Sequence, residues 1–248
     1  MRLRGRRAVV TGGASGFGAG IVGKFAAEGA RVTIADIDGA AAAALAARSG
    51  DSVDWLEVDV SSDASVAAMA RALEARSAIP DILVNNAGIG HRPAPLESLA
   101  EETFDRILAV NVKSIYLTAR HLVPGMRRQG GGVILNIGST AGVSPRPGLT
   151  WYNASKGWVI TATRAMAIEL APANIRVNAL NPVAGETPLL ATFMGEDTPE
   201  NRRRFLSTIP LGRFSTPEDL GNAACFLCSE EASLVTGVAL EIDGGRCL

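Results

Sequence analysis

Tyr152 and Lys156 stand four positions apart, and on a helix that spacing stacks them one turn above each other on a single face. A cation held beside a phenol favours the phenolate and lowers a pKa that starts at about 10. A tyrosine so placed can trade a proton with an alcohol or carbonyl oxygen at ordinary pH. Upstream, Ser139 follows an apolar run at residues 133–137, which puts a hydroxyl at the end of a strand. The same tyrosine–lysine spacing also arises on any amphipathic helix with one surface lysine, so the surrounding chain has to separate the two readings.

A second cluster lies near the start. Gly12, Gly16 and Gly18, with Ser15 and Phe17 between them, join an apolar run at residues 7–11 to a helical pattern at 21–28. Glycines in such a turn let the backbone bend tightly and approach a pyrophosphate on the helix N-terminus. The spacing departs from plain GxGxxG, and a glycine cluster alone is a weak signal. Asp36, at the end of the next strand, makes it a dinucleotide signal: its carboxylate can accept from both hydroxyls of an adenine ribose and would repel a phosphate there. Neither Ser15 nor Ile37 supplies a cation for such a phosphate, so NAD is expected rather than NADP. Asp59 and Val60, ending the third strand, are placed by the adenine edge, with a helix cap as the other role for Asp59. Asn86, Ala87 and Gly88 close the fourth strand with small residues that leave room for a ribose, and Asn85 reads as a tie between neighbouring strands.

These residues need a frame. Strand-like runs at 7–11, 31–35, 53–58, 81–84, 133–137, 175–180 and 238–242 alternate with helical patterns at 21–28, 38–48, 62–76, 99–127, 152–170 and 217–228. Nearly unbroken apolar strands alternating with helices indicate a parallel sheet covered on both faces. The expectation is one α/β domain over 1–248, a Rossmann-type three-layer sandwich with a seven-stranded parallel sheet. Residues from Gly185 to about 212 are less periodic and read as a substrate flap.

Composition narrows the function classes. A chain of 248 residues, 47% hydrophobic and with a formal charge of -1, can bury a sizeable core. Lysine and arginine total 24 against 25 acids, which gives no positive field for nucleic acid, and Arg2, Arg4, Arg6 and Arg7 read as solubilising charge. No membrane-length apolar run or signal-like start occurs, so a cytoplasmic location is expected. Cys225 and Cys228 have a redox-like spacing but fall in an apolar helical run, where a buried helix surface is the better reading. With His91 and His121 as the only histidines, no histidine-rich metal site is available and no metal is expected.

Taken together, the chain resembles the classical short-chain dehydrogenase/reductase family over essentially its whole length. The family pattern TGxxxGxG appears at Thr11 to Gly18, NNAG at Asn85 to Gly88, an asparagine at Asn111 between Val110 and Val112, and YxxxK at Tyr152 to Lys156. One departure follows Asn181 and Pro182, where the family usually has glycine and this chain has Val183 and Ala184 before Gly185. The resemblance implies hydride exchange between a nicotinamide and a carbon bearing a hydroxyl or carbonyl. Tyr152 would be the general acid or base, Ser139 would hold the substrate oxygen, Lys156 would bind the nicotinamide ribose and depress the tyrosine pKa, and Asn111 would carry a water-mediated proton relay. Pro182, Val183 and Thr187 would meet the nicotinamide. It also implies a homotetramer built on the 99–127 and 152–170 helices and the last strand, with small residues Ala162, Ala165 and Ala167 allowing close contact. The chain end, Asp243 to Leu248, would approach a neighbouring subunit's pocket or a metal-supported contact near the C-terminus.

The substrate pocket should be formed by the loop at 90–95, Ala141, the loop at 144–151 and the flap, with Leu189, Leu190, Phe193 and Met194 as an apolar lid. His91, Arg92 and Arg146 would give it a positive side and favour an acidic or hydroxylated small molecule, or would simply be solvated loop residues. The expected activity is an NAD-dependent dehydrogenase for a small secondary alcohol, sugar or hydroxy acid. The alternative is a 3-oxoacyl acyl-carrier-protein reductase, with Arg127 and Arg128 as a carrier patch. Against it stand Asp36 and Pro172 to Asn174, where such reductases tend to carry a cation. A non-catalytic nucleotide-binding regulatory protein would be expected to lose Tyr152, Lys156 or Ser139.

Overall fold

The computed structural model describes residues 1–248. Its strands are β1 (Arg7–Thr11), β2 (Arg31–Asp36), β3 (Val53–Glu57), β4 (Ile82–Asn85), β5 (Gly132–Ile137), β6 (Ile175–Pro182) and β7 (Ala239–Ile242). They form one sheet in the order β3-β2-β1-β4-β5-β6-β7, every pair parallel. The chain builds outward from β1 to β3 and then returns to place β4 on the other side of β1. Loops leaving β1 and β4 therefore diverge, and a crevice opens at the carboxyl ends of the strands.

The helices are α1 (Gly16–Ala27), α2 (Gly39–Ser49), α3 (Asp63–Ala75), α4 (Glu101–Leu108), α5 (Ser114–Arg128), α6 (Thr150–Leu170), α7 (Leu189–Met194), α8 (Pro199–Leu206) and α9 (Pro217–Cys228). Successive strand residues point to opposite faces. Thus Val10, Val84 and Leu135 pack with Ile21, Phe25, Leu45 and Leu220 on one side. Val9, Leu83 and Ile134 pack with Met69, Leu117, Met126 and Leu170 on the other. Cys225 and Cys228 are buried in the first of these layers as free thiols, and burial pushes both thiol pKa values up. Where α1 crosses α9, a Cβ on Gly20 would lie 2.2 Å from the Pro217 carbonyl oxygen, so the two backbones touch only because Gly20 has no side chain.

A polar chain threads the otherwise apolar sheet. Thr118 donates to Asn85 Oδ1 (2.8 Å), Asn85 donates to Asn136 Oδ1 (2.9 Å), and Asn136 donates to Thr163 Oγ1 (2.9 Å). Asn85 is thus the strand tie that its position predicts.

Several boundaries differ from the sequence reading. The single helix expected at 99–127 is two, α4 and α5, joined by a π-helical turn over Ala109–Lys113. Strand β6 continues through Asn181 and Pro182 because β7 lies alongside, and the N–H that proline lacks is replaced by that of Val183, which donates to Ile242 O (3.2 Å). The flap holds two short helices, α7 and α8, and Ala167 faces the protein's own core. No helix is long and apolar enough to cross a membrane.

Candidate active site

The glycine turn follows β1 directly. Gly12 and Gly16 adopt left-handed φ of 60° and 52°, and a Cβ on Gly18 would sit 2.1 Å from Gly12 O. The turn folds back so tightly that the first amides of α1 face the crevice, the arrangement that accepts a pyrophosphate. Ser15 N-caps α1 without a side-chain hydrogen bond, leaving its hydroxyl available. Asn86 braces this turn: its Nδ2 donates to Thr11 O (2.9 Å) and Gly12 O (2.8 Å), while Thr11 Oγ1 accepts from the backbone of Asn86 and Ala87.

At the end of β2, Asp36 accepts Ala14 N–H on one oxygen (2.9 Å) and Asp38 N–H on the other (3.1 Å). Each oxygen keeps a lone pair for a ribose hydroxyl. Ile37, 69% exposed, offers no cation beside it. Asp59 accepts from Ser61 N–H and Oγ–H, and the cap of α3 is Ser62.

The side chains expected to do the chemistry come from the end of β5, α6 and the π turn. Ser139 caps a short 3-10 turn, its Oγ accepting Ala141 N–H (3.1 Å). That turn lies against α6, where a Cβ on Gly142 would reach 2.7 Å from the Lys156 backbone. Ser139 is thereby fixed relative to the helix that carries Tyr152. Lys156, buried, donates from Nζ to Ile137 O (2.9 Å) at the end of β5. The π turn aims Asn111 inward: it accepts Ile89 N–H (2.9 Å) and donates to Ile89 O (2.9 Å) and Ser155 Oγ (3.0 Å). π turns concentrate at functional sites because the extra residue redirects a side chain. A Cβ on Gly88 would lie 3.3 Å from Lys156 Nζ and 3.5 Å from Asn111 Oδ1, so the glycine leaves open the space those two groups share.

The electrostatics depart from the simple tyrosine–lysine expectation. Burial pushes the Tyr152 phenol up to about 12, against the pull of the Ser139 hydroxyl and the Arg146 charge. Burial pushes Lys156 down to about 8. Its Nζ is 6.0 Å from the Tyr152 ring centroid and is directed at Ile137 O, so Arg146 is the cation that lowers the phenol here.

The displaced glycine after β6 has a definite seat. A Cβ on Gly185 would stand 2.2 Å from the Phe17 ring, and Glu186 N–H donates to Ser215 O (2.9 Å), tying the strand exit to the segment before α9. From there Thr187 reaches across to the glycine turn, 3.3 Å from where a Cβ on Gly16 would be.

Most of these parts, though neither Gly18 nor Asn111, line one cavity of about 490 Å³ running from Asp36 past Gly12 and Gly16 to Ser139, Tyr152 and Lys156. Ser15, Phe17, Gly88, Pro182, Val183 and Thr187 line it as well. A glycine cradle with no room for a Cβ, facing amides and a carboxylate with free acceptor capacity fit NAD. The substrate end is walled by Ala141, Leu149, Leu190 and Phe193 together with Arg146. Leu189 lines it too, whereas other expected parts of the wall fall elsewhere. His91 is buried beside the cavity, Arg92 is turned to solvent, and Met194 packs into the flap's own core. Ile89 and Arg106 line the cavity without any sequence signal to single them out. The chain end folds onto its own flap, where Gly244 and Gly245 abut Ile209 and Pro210.

Known proteins share this arrangement. A family model described as Enoyl-(Acyl carrier protein) reductase matches residues 12–246. The chain is 47% identical to 4-formylbenzenesulfonate dehydrogenase of Comamonas testosteroni, covering 99% of both. It is 40% identical to a 3-oxoacyl acyl-carrier-protein reductase of Thermotoga maritima, again over 99% of both. A crystal structure of 3-ketoacyl-(acyl-carrier-protein) reductase from Brucella melitensis complexed with NADH superposes with a TM-score of 0.94 at 50% identity, covering 99% of this chain and 100% of that one.

Proposed function

The chain belongs to the classical short-chain dehydrogenase/reductase family and is an NAD-dependent oxidoreductase; from that premise we propose that it interconverts a small secondary alcohol, sugar or hydroxy acid with the corresponding carbonyl compound. One observation carries this reading: Asp36 and Tyr152 line opposite ends of a single cavity, so a cofactor held at one end brings its reactive ring to the other.

Gly12, Ser15, Gly16 and the first amides of α1 hold the pyrophosphate, Asp36 the adenine ribose, and Asn86, Ala87 and Gly88 the middle of the cofactor. Bound NAD supplies the acceptor for the electron pair of the substrate C–H bond. The chain's own work is on the proton and the oxygen. Ser139 donates a hydrogen bond to the substrate oxygen, and Tyr152 takes the alcohol proton in oxidation or returns one in reduction. Lys156 holds the nicotinamide ribose, and Asn111, bonded to Ile89 and Ser155, anchors the path by which the proton reaches solvent. Pro182, Val183 and Thr187 fix the ring's orientation. The segment from Gly185 to about residue 212 acts as a flap whose α7 carries Leu190 and Phe193 over the reacting atoms and excludes water.

The competing reading, reduction of a carrier-bound 3-oxoacyl chain, draws on the names of two relatives. Within this chain Arg127 and Arg128 end α5 just before β5 begins, at the opposite end of the sheet from the cavity, and Arg128 is paired with Glu74 (2.7 Å). A carrier docked there would have to feed the cavity of another copy. A homotetramer is supported by the outward row Ala154, Trp158, Ala165 and Ile168 on α6 and by Tyr116 on α5. A cytoplasmic location accords with the chain's balanced composition.

The test is a screen of secondary alcohols, sugars, hydroxy acids and 3-oxoacyl thioesters with NAD(H) and NADP(H), in wild type and Tyr152→Phe. Oxidation of small alcohols with NAD, lost in the variant while NADH binding persists, is expected. Turnover confined to carrier-bound thioesters, or retained by Tyr152→Phe, would overturn the proposal.

A further inference from the structure

Most arginines of this protein that meet an acid form ion pairs at the surface: Arg2 with Glu231, Arg7 with Asp81, Arg202 with Asp197 and Arg213 with Asp219. Arg146, which lines the cavity, and Arg246, on the turn packed against the flap, do not. Arg146 lines the cavity, and its guanidinium carbon lies 4.7 Å over the ring of Phe205 on α8. Its backbone is pinned by Asn153 Nδ2, which donates to Arg146 O (2.8 Å). A guanidinium stacked on an aromatic face keeps its N–H groups free in its own plane, where they can meet a planar or tetrahedral oxyanion.

Arg246 arrives from the chain end. Gly244 takes a left-handed φ of 62° and packs on Ile209, in the same flap cluster that Phe205 abuts. Asp243 holds the turn by accepting Gly245 N–H (2.9 Å) and Cys247 N–H (2.8 Å), and its carboxylate makes no ion pair with Arg246. The Arg246 Nε is buried without a hydrogen-bond partner. Burial and then the charge of Arg246 push the Arg146 pKa down, against a smaller pull from Tyr152 and Cys247.

An unpaired arginine lining a cavity, with a second on the turn that packs against the same flap cluster and carries an unpartnered buried donor, is a recognition element for an anion. The apolar side chains of Leu149, Leu190 and Phe193 line the same cavity as Arg146. We infer that Arg146 and Arg246 bind the anionic end of the substrate, so that the preferred substrate is an alcohol or carbonyl compound whose flat, apolar body carries a sulfonate or carboxylate away from the reacting carbon. The inference rests on the dehydrogenase reading above for the reacting end, and on the arginine pair alone for the anionic end.

Binding and turnover test the two separately. Calorimetry on the NADH-loaded protein would compare benzenesulfonate and benzoate with neutral benzamide, the two anions showing which oxyanion is preferred. Wild type should bind an anion at least about tenfold more tightly than benzamide, the scale of one charge-assisted hydrogen bond. Arg146→Gln and Arg246→Gln should each abolish that preference, and Arg246→Lys should restore part of it. In parallel, NAD-linked oxidation of 1-(4-sulfophenyl)ethanol and 1-(4-carboxyphenyl)ethanol should show a lower KM than 1-phenylethanol, with the ratio collapsing in the glutamine variants. No anion preference in wild type, or one that both glutamine variants keep, would overturn the inference even if 1-phenylethanol is oxidised. Arginine-dependent anion binding with no alcohol oxidised would sink the dehydrogenase reading and leave the arginine pair standing.

Discussion

The ring of Phe193, carried by the flap helix α7, lies 4.8 Å from the ring of Tyr152 at an interplanar angle of 52°. The same ring occupies the space a Cβ on Gly90 would need, at 2.5 Å, so the flap aromatic is held between the loop after β4 and the reacting tyrosine. This contact is part of what dries the phenol and pushes its pKa up to about 12. Phe193→Ala should admit water and let that pKa fall. Because alcohol oxidation needs the deprotonated phenol, the rise of kcat/KM with pH should begin at lower pH than in wild type, while maximal kcat drops. The pH profile of the variant checks both effects.

Lys156 gives a prediction of opposite sign for stability and activity. Its pKa is lowered from an ordinary 10.5 to about 8 by burial, a penalty of about 3 kcal/mol on the folded state at neutral pH. Lys156→Met removes it and gives up the hydrogen bond to Ile137 O, worth about 1 kcal/mol, so a net gain of about 2 kcal/mol is expected at pH 7. Between pH 8 and 10.5 the unfolded chain binds more protons at this site than the folded one, so wild-type stability rises with pH and the gap closes. Denaturant unfolding at pH 7 and pH 10 measures this, and turnover should be lost at both.

Cofactor choice should turn on Asp36 and Ile37. The double substitution Asp36→Ala with Ile37→Arg removes the charge that repels a ribose phosphate and supplies one that welcomes it. Preference between NAD and NADP, read as the ratio of kcat/KM values, should move toward NADP by about 100-fold or more. The loss of the two backbone hydrogen bonds that Asp36 accepts should lower stability by about 1–3 kcal/mol.

The polar chain through the sheet should be less forgiving than its size implies. Asn136→Ala leaves Asn85 Nδ2 without its buried acceptor and removes the bond that Thr163 Oγ1 accepts, while that hydroxyl still donates to Val159 O (2.8 Å), a loss of about 2–4 kcal/mol. Urea unfolding of Asn136→Ala beside Thr163→Ala, which breaks only the outer link, should rank the two in that order.

The fold was legible because its signals are local and repeated. Apolar runs ending in Thr11, Asp36 and Asn85 mark the carboxyl edge of the sheet, and glycine is demanded after Thr11 because a Cβ on Gly18 would stand 2.1 Å from Gly12 O. Tyr152, Lys156 and Asp36 could be placed for the same reason. What sequence could not supply depends on burial and on long-range packing. The direction of the Tyr152 shift follows from how dry the pocket is, and Arg146 acting on the phenol in place of Lys156 follows from loop geometry. Arg246 lies 100 positions from Arg146, with no periodicity to link them. The π turn was hidden because its residues, Ala109 to Lys113, are as helix-compatible as those of α4 and α5 around them.

That turn constrains how the gene can change. Each helical residue advances the chain by about 100°, so α4 and α5 are out of phase by the one residue that the π turn absorbs. Deleting a single codon between Ala109 and Lys113 would produce a better hydrogen-bonded, uninterrupted helix and would still misplace everything after it. Leu117 and Met126 would rotate off the core face, and Asn111 would leave Ile89 and Ser155. Point substitutions at the other positions of the turn keep this phase, whereas length variation should be confined to the loops on either side.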